Sequence, residues 1–469
     1  MLVILNEVSL TSKSIFTLLT LTYNKNMCEE NLENNLVSSN MRKVALTALA
    51  GTSIEWYDFF LYGAAAALIF PTAFFGEVAP TTALILSLLT FAAGFIARPI
   101  GGIIFGHFGD KIGRKKTLIS ALMLMGISST LIGLLPTYAM IGALAPILLT
   151  MLRFAQGLAI GGQWGGAMLL VTESAPSDQR GYYGAFAQAG APIGVILANL
   201  ALIITSALVS DDFFNTWGWR IPFLASAVLV LVSMYIQLNL EDTNAFKELT
   251  MLKNQKQNNN QTTIQKSPVI EAVKKYPKRI MLAAGAFINI QVTFYILIAF
   301  LLAYGVQSAE MARDDMLTAV LLASAIMVPM QFLFSSYSDR HGRRGIFMLG
   351  AILSGLWAFA IFPLVDTGSF WLITLAVSGG MIFLAMMYGP QAAFFTELFS
   401  TEVRYSGATL GYQFGAIIGG AFAPTIAVKL WTEFDIFWVS VYMAFSALLT
   451  LLSVMALTET YQSDLNKTE

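Results

Sequence analysis

Gly106-His107-Phe108-Gly109-Asp110-Lys111-Ile112-Gly113-Arg114-Lys115-Lys116 and Ser338-Asp339-Arg340-His341-Gly342-Arg343-Arg344 are two copies of one short polar string. Asp110 and Asp339 stand 229 residues apart, close to half of the 469-residue chain. A second pattern repeats at nearly the same offset. Glu173 and Arg180 are seven apart, and so are Glu397 and Arg404, 224 residues further on. Two unrelated strings repeating in order imply a duplicated half-protein. Each interrupts long apolar runs, so the duplicated unit is a bundle of membrane helices, an arrangement shared by two-lobed secondary transporters.

Composition agrees. Hydrophobic residues make up 56% of the chain and charged ones 12%, against about 45–50% and about 25% in soluble domains. Spanning a bilayer takes ~20 apolar residues, and twelve such segments are found at 44–70, 82–106, 117–135, 138–171, 182–208, 221–240, 280–304, 316–337, 346–365, 370–395, 406–428 and 434–458. The expected fold is therefore all-α and integral to the membrane, with two pseudo-symmetric six-helix bundles. The domains are read as an N-terminal bundle over 41–240, a polar linker over 241–279, a C-terminal bundle over 280–460 and a short tail over 461–469. Residues 1–40 read as a disordered tail, or as sequence upstream of a start at Met27 or Met41. Of 27 Lys and Arg, two lie inside spans, Arg220, Arg313 and Lys429 lie on one side, and the remaining 22 lie in the opposite loops, tails and linker. The positive-inside rule places that crowded side, with both termini, in the cytoplasm. Cys28 is the only cysteine, which excludes an intramolecular disulfide. Trp217, Trp219, Trp431 and Trp438 fall at span ends and read as interfacial belt residues.

The repeated loops combine acids, arginines and glycines. Simple anchoring calls for bases alone, whereas forked arginine–carboxylate pairs need the acids too. A gate is expected on this side, joining Asp110, Arg114, Glu173 and Arg180 in one half and Asp339, Arg343, Glu397 and Arg404 in the other. Such pairs are individually weak when exposed, which suits contacts broken once per cycle.

Charges inside the spans are costly and mark function by default. Glu55 and Asp58 lie three apart on one helical face, with Arg98 on the second span and Arg153 on the fourth. At ~1.5 Å per residue, Asp58 and Arg153 fall roughly 21 and 27 Å from the cytoplasmic ends of their helices, near the midplane. The expected pairings are Asp58 with Arg153 and Glu55 with Arg98. A carboxylate whose arginine partner changes with access alters its proton affinity, so Asp58, Arg153 and Glu55 are the proton-coupling candidates. An arginine released from pairing can receive a substrate carboxylate. The second half carries uncharged polar groups instead. The substrate-binding candidates are Arg98, Arg153, Tyr57, Gln156, Gln163, Asn289, Gln291, Tyr295, Tyr388, Gln391 and Gln413. Gly157-Leu158-Ala159-Ile160-Gly161-Gly162 reads as a close-packing helix surface, without the lysine of a nucleotide loop.

The doubled loop resembles the signature of the major facilitator superfamily, with Ser335 in place of its leading glycine in the second copy, and Arg153-Phe154-Ala155-Gln156-Gly157 is similar to that superfamily's fourth-span motif. Glu55-Trp56-Tyr57-Asp58-Phe59, Arg98-Pro99-Ile100-Gly101-Gly102 and Trp217-Gly218-Trp219-Arg220-Ile221-Pro222-Phe223 resemble the metabolite:H+ symporter family. Tyr405-Ser406-Gly407-Ala408 with Gly411-Tyr412-Gln413 looks most like its shikimate-permease branch. The resemblance implies Asp58 and Arg153 as a proton-coupling pair and Arg98 as the arginine for anionic substrates; Glu55 departs from relatives that carry other residues there.

The reading is a proton symporter of a small organic acid, shikimate-like or another carboxylate, working as a monomer by alternating access in an inner membrane. No cofactor, metal or nucleic acid is called for, and the spans show no nucleophile–base set of an enzyme. A symporter of a zwitterion such as proline or betaine and a non-transporting nutrient receptor are the alternatives.

Overall fold

The computed structural model describes residues 41–112, 114–161, 168–169, 171–173, 175–241, 268–400 and 403–461. Twelve long helices follow one another. In the first half they are α1 (41–68), α2 (Pro80–Ile112), α3 (Arg114–Leu134), α4 (Leu144–Gly161, helical again at 168–169 and 171–173), α5 (Arg180–Leu208) and α6 (Arg220–Glu241). In the second they are α7 (Pro277–Tyr295), α8 (Arg313–His341), α9 (Arg343–Val365), α10 (Phe370–Glu397), α11 (Arg404–Ala416) and α12 (Ile436–Ala456). Two of these are longer than a single α-helical run. α7 continues through a π-helical segment, Ile296–Phe300, into Leu301–Gln307. α11 likewise continues through Ile417–Ala421 into Ala423–Glu433.

Among the described residues, nine of the helices are long and apolar enough to cross a membrane. α6, joined to residues 211–218 with a 53° bend, makes a tenth, and α3 holds a shorter apolar run, Ile119–Leu134. α1, whose apolar sequence is broken by Glu55 and Asp58, is the twelfth. The all-α architecture expected from hydropathy is thus the observed one.

Local sequence sets the boundaries. Proline at the first turn starts α7, where its missing N–H costs nothing. Gly342 separates α8 from α9 with φ +99°, a conformation that side chains rarely adopt. α12 begins at an Asp435 cap whose carboxylate accepts the Phe437 N–H.

Within the first half, α2 packs on α4 and α3 on α6; within the second, α8 and α9 pack on α10, and α7 on α11 and α12. α5 crosses to α8 and α10, and α2 to α11. The α2–α4 crossing is close because it is made of glycine. A Cβ added at Gly157 would overlap the Gly94 carbonyl, and one at Gly161 the Arg98 carbonyl. Small residues allow this approach in membranes, where packing rather than water drives helix association.

One expectation is corrected. Trp219 is not a belt residue: it is fully buried against Phe70, Phe74 and Phe223 with the Arg220 guanidinium over its ring. The bend ahead of α6 turns it inward, while Trp217 beside it stays 45% exposed. Part of the linker read over 241–279 is helical. Pro268–Lys275 is a helix with Ala272 buried, and Tyr276 after it donates to Ser400 Oγ at 3.3 Å.

Candidate functional site

α1 carries an aromatic and acidic string, Glu55 to Phe60, into the centre of the molecule. All six of its side chains are buried. α2 and α4, locked together at their glycines, bring Arg98 and Arg153 to the same place. Arg98 and Arg153 are 1% and 0% exposed. Both guanidiniums rest on the one ring of Phe59, at 4.3 and 3.9 Å from its centroid. Arg98 also lies over Phe95 and Trp56, and Arg153 over Tyr62 and Phe91. Cation–π contacts of this kind are the main compensation a desolvated guanidinium finds without an anion.

Neither expected pairing forms an ion pair among the described residues. Arg153 acts electrostatically on Asp58, and Arg98 on Glu55. Neither Asp58 oxygen has a hydrogen-bond partner among the described residues. The hydroxyls beside it are engaged elsewhere: Ser129 Oγ donates to Met125 O and accepts from Gln156 Nε2 at 2.7 Å, and Ser226 Oγ donates to Pro222 O. Gln156 Oε1 in turn accepts from Arg153 at 3.0 Å. None of the three guanidinium nitrogens of Arg98 has a hydrogen-bond partner among the described residues. It faces the second half, where Tyr295, Tyr388 and Tyr412 stand within its electrostatic reach.

Between the halves lies a cavity of about 10 Å³, barely room for one water. Its lining includes Trp56, Phe60, Gln291, Phe294, Tyr295, Tyr388 and Tyr412. The structure therefore brings together Gln291, Tyr295 and Tyr388 of the substrate candidates, with Arg98 beside them. Others sit elsewhere. Tyr57 donates to Pro222 O at 2.9 Å inside the first bundle. Asn289 belongs to a polar knot with Thr293, Ser354 and Ser446 inside the second. Gln391 accepts from Gln188 Nε2 at 2.6 Å, a contact between halves. Gln413 is buried without lining the cavity, and Gln163 lies outside the described residues. The aromatic wall was missed in sequence. Trp56 and Phe60, stacked at 5.1 Å, are four apart on α1, and that spacing beside Asp58 was the available signal.

Residues 48–410 match the family model described as Major Facilitator Superfamily. The chain belongs to the major facilitator superfamily. It is 39% identical over 435 residues to the inner membrane metabolite transport protein YhjE of Escherichia coli strain K12, covering 91% of this chain and 96% of that one. It is 37% identical to the shikimate transporter of the same strain, covering 92% and 98%. It is 31% identical to the proline/betaine transporter of Salmonella typhimurium strain LT2, covering 90% and 84%. Its fold superimposes on the partially occluded, inward-open xylose transporter XylE of E. coli with a TM-score of 0.69, over 91% of this chain and 100% of that one, at 17% identity. The relatives are transporters, and the family is not one of enzymes.

In this major facilitator the repeated-loop end is tied shut by contacts between halves. Glu173 Oε1 pairs with Arg404 at 3.2 Å, and Glu397 Oε1 lies 4.0 Å from Arg180. For Glu173 and Glu397 these contacts run to arginines of the opposite half, because docking sets the ends of α4 and α5 against those of α11 and α10. Arg343 does pair inside its own half, with Asp339 at 2.6 Å and Glu397 at 3.1 Å. The Asp339 carboxylate also accepts the backbone N–H groups of Gly181 and Tyr182, at 2.8 Å each. It thereby caps α5 of the opposite half, where free amides and the helix dipole favour an anion. The side chains of Asp110 and Arg114 lie outside the described residues.

Just past α12, Glu459 accepts from the N–H groups of Arg343, Arg344, Thr460 and Tyr461. Thr460 Oγ1 donates to Glu397 at 2.8 Å. Burial opposes the charged form of Glu459, but those four donors outweigh it and hold its pKa below the usual glutamate value.

Proposed function

We propose that the protein is a proton-coupled symporter of a small organic anion in the cytoplasmic membrane, with the repeated loops and both termini in the cytoplasm. The observation that carries this reading is Arg98: a buried guanidinium whose three nitrogens meet no hydrogen-bond geometry among the described residues, beside Tyr295 at the cavity between the lobes. Leaving such a group unpaired is costly, and a substrate carboxylate presents the forked acceptor it fits. Charge balance supports coupling. α1, α2 and α4 carry two acids and two arginines into the interior, a neutral set. An arriving monoanion unbalances it, and a proton on Asp58, whose oxygens meet no hydrogen-bond geometry among the described residues, restores it. Gln291 and the tyrosine hydroxyls supply hydrogen bonds for a hydroxylated body of the shikimate kind. The cavity enlarges when the lobes part and closes on the bound solute, which is the rocking cycle of this fold.

A second reading, a zwitterion, is favoured by one observation: Trp56, Phe60, Phe294, Tyr295, Tyr388 and Tyr412 together line the cavity, and aromatic faces bind alkylated ammonium groups.

Both readings are separated by uptake into proteoliposomes of labelled shikimate and labelled glycine betaine, with and without an inward proton gradient, for the parent chain, Asp58→Asn and Arg98→Lys. Gradient-driven accumulation that Asp58→Asn abolishes while exchange persists is the expected result. Arg98→Lys is expected to raise KM for the anion at least tenfold, since a point charge replaces a fork. Uptake indifferent to the gradient would refute coupling, and betaine taken up in preference to shikimate would select the second reading.

A further inference from the structure

The contacts that close the repeated-loop end have a counterpart at the other end, made of residues that no motif marks. Arg313, the first residue of α8, reaches from the second half into the first. One terminal nitrogen donates to Ser206 Oγ on α5 at 2.7 Å and lies 3.7 Å from Asp211; the other donates to Asn215 at 3.3 Å. Its guanidinium carbon stands 4.0 Å from the centroid of Phe214, which is fully buried. Nε is held by Asp314 at 3.2 Å, and Asp314 accepts from the same Ser206 at 3.0 Å. Deeper along the same helix pair, Asn199 of α5 donates to Leu317 O of α8 at 3.2 Å.

The helix pair α5–α8 is therefore fastened at both ends: by Asp339 on the α5 amides at one, and by Arg313 on Ser206 and the 211–215 segment at the other. Parting the lobes at either end must break one set. We infer that Arg313 is the outer latch of this transporter, opposing the Asp339 latch, and that the two together set the ratio of outward-open to inward-open molecules. The ordinary alternative is a surface ion pair of no consequence. Against it stand the fork: both terminal nitrogens engaged, across the lobe boundary, over a buried ring, with an arginine whose side chain is only 20% exposed.

The test rests on the transporter fold and needs no substrate. In a Cys28→Ser background, Gln291→Cys places one thiol in the cavity lining, and a membrane-impermeant maleimide is applied from the outside of oriented vesicles. Arg313→Gln is expected to raise the labelling rate about tenfold, and Ser206→Ala, a milder change, to raise it by a smaller factor. Adding Asp339→Asn to Arg313→Gln should return the rate toward that of the parent, because the latches act in opposition; a defect of folding would not be reversed by a second lesion. An unchanged rate in both Arg313→Gln and Ser206→Ala overturns the assignment. So does a double variant that labels as fast as Arg313→Gln alone. Either failure leaves the proposed solute and its proton coupling standing, since those are judged by uptake.

Discussion

Replacing Asp339 by asparagine should open the repeated-loop end of the molecule by an amount that the structure allows to be worked out. The carboxylate, with its side chain 4% exposed, accepts from Gly181 N and Tyr182 N, each at 2.8 Å, and from Arg343 at 2.6 Å. A charge-assisted hydrogen bond contributes ~1.5–3 kcal/mol, and a neutral one about 1 kcal/mol. Asparagine keeps one carbonyl oxygen, so one backbone N–H loses its acceptor and both lose the charge. Once the lobes part, the same carboxylate is solvated, so the loss falls on the closed form. A net cost of about 2–3 kcal/mol shifts the closed–open equilibrium roughly 30- to 150-fold. Gly181→Ala should do the same by volume instead of charge: its Cβ would sit 2.6 Å from an Arg343 nitrogen and 2.8 Å from both Asp339 Oδ1 and Ser335 O. Spin labels at exposed Ser177 and Gly345, one in each half, report the separation by pulsed dipolar spectroscopy. The expected result is a longer-distance population that grows in both variants. An unchanged distance distribution in both would refute the reasoning that this cap holds the lobes together.

Two further outcomes are expected. Gly161→Ala inserts a methyl into the Arg98 carbonyl; overpacking of this kind costs ~1–3 kcal/mol, visible as a lower melting temperature in detergent, together with weaker anion uptake because Arg98 moves. Glu459→Gln should destabilise the protein at neutral pH. The Glu459 pKa is depressed below its unfolded value of 4.5, so its stabilisation is present above about pH 4.5 and is lost as pH falls through the lower folded value. Melting temperatures of parent and Glu459→Gln should therefore converge on acidification, and a constant gap down to strongly acid pH would count against the role of the carboxylate.

The parts of this molecule legible in its sequence are those set by short-range physics. Apolar run length located the helices to within a few residues, and the offset between Asp110 and Asp339 disclosed the duplication. The cost of burying charge singled out Glu55, Asp58, Arg98 and Arg153 before any coordinates. What stayed hidden depends on how finished helices dock. Seven-residue spacing put Glu173 near Arg180, yet Glu173 pairs with Arg404 of the opposite half. Asn289 and Gln391 carry the polar groups a substrate site needs, but helix rotation gives one to a knot inside its bundle and the other to Gln188. Trp219 sits at a span end like an interfacial residue, and only the bend before α6 shows it facing the core. Sequence marked Arg313 only as one of three bases on its side, and hid its partners, which come from a turn and a helix end more than ninety residues earlier.

Phe59 lends both buried arginines the face of a single ring, and the electron density of that ring is finite. Arg98 and Arg153 therefore compete for it. A carboxylate that draws Arg98 away leaves the ring more fully to Arg153, which then leans less on Asp58. In the symporter proposed above, anion binding at Arg98 would thereby be felt at Asp58 through the polarisation of one shared hydrocarbon side chain.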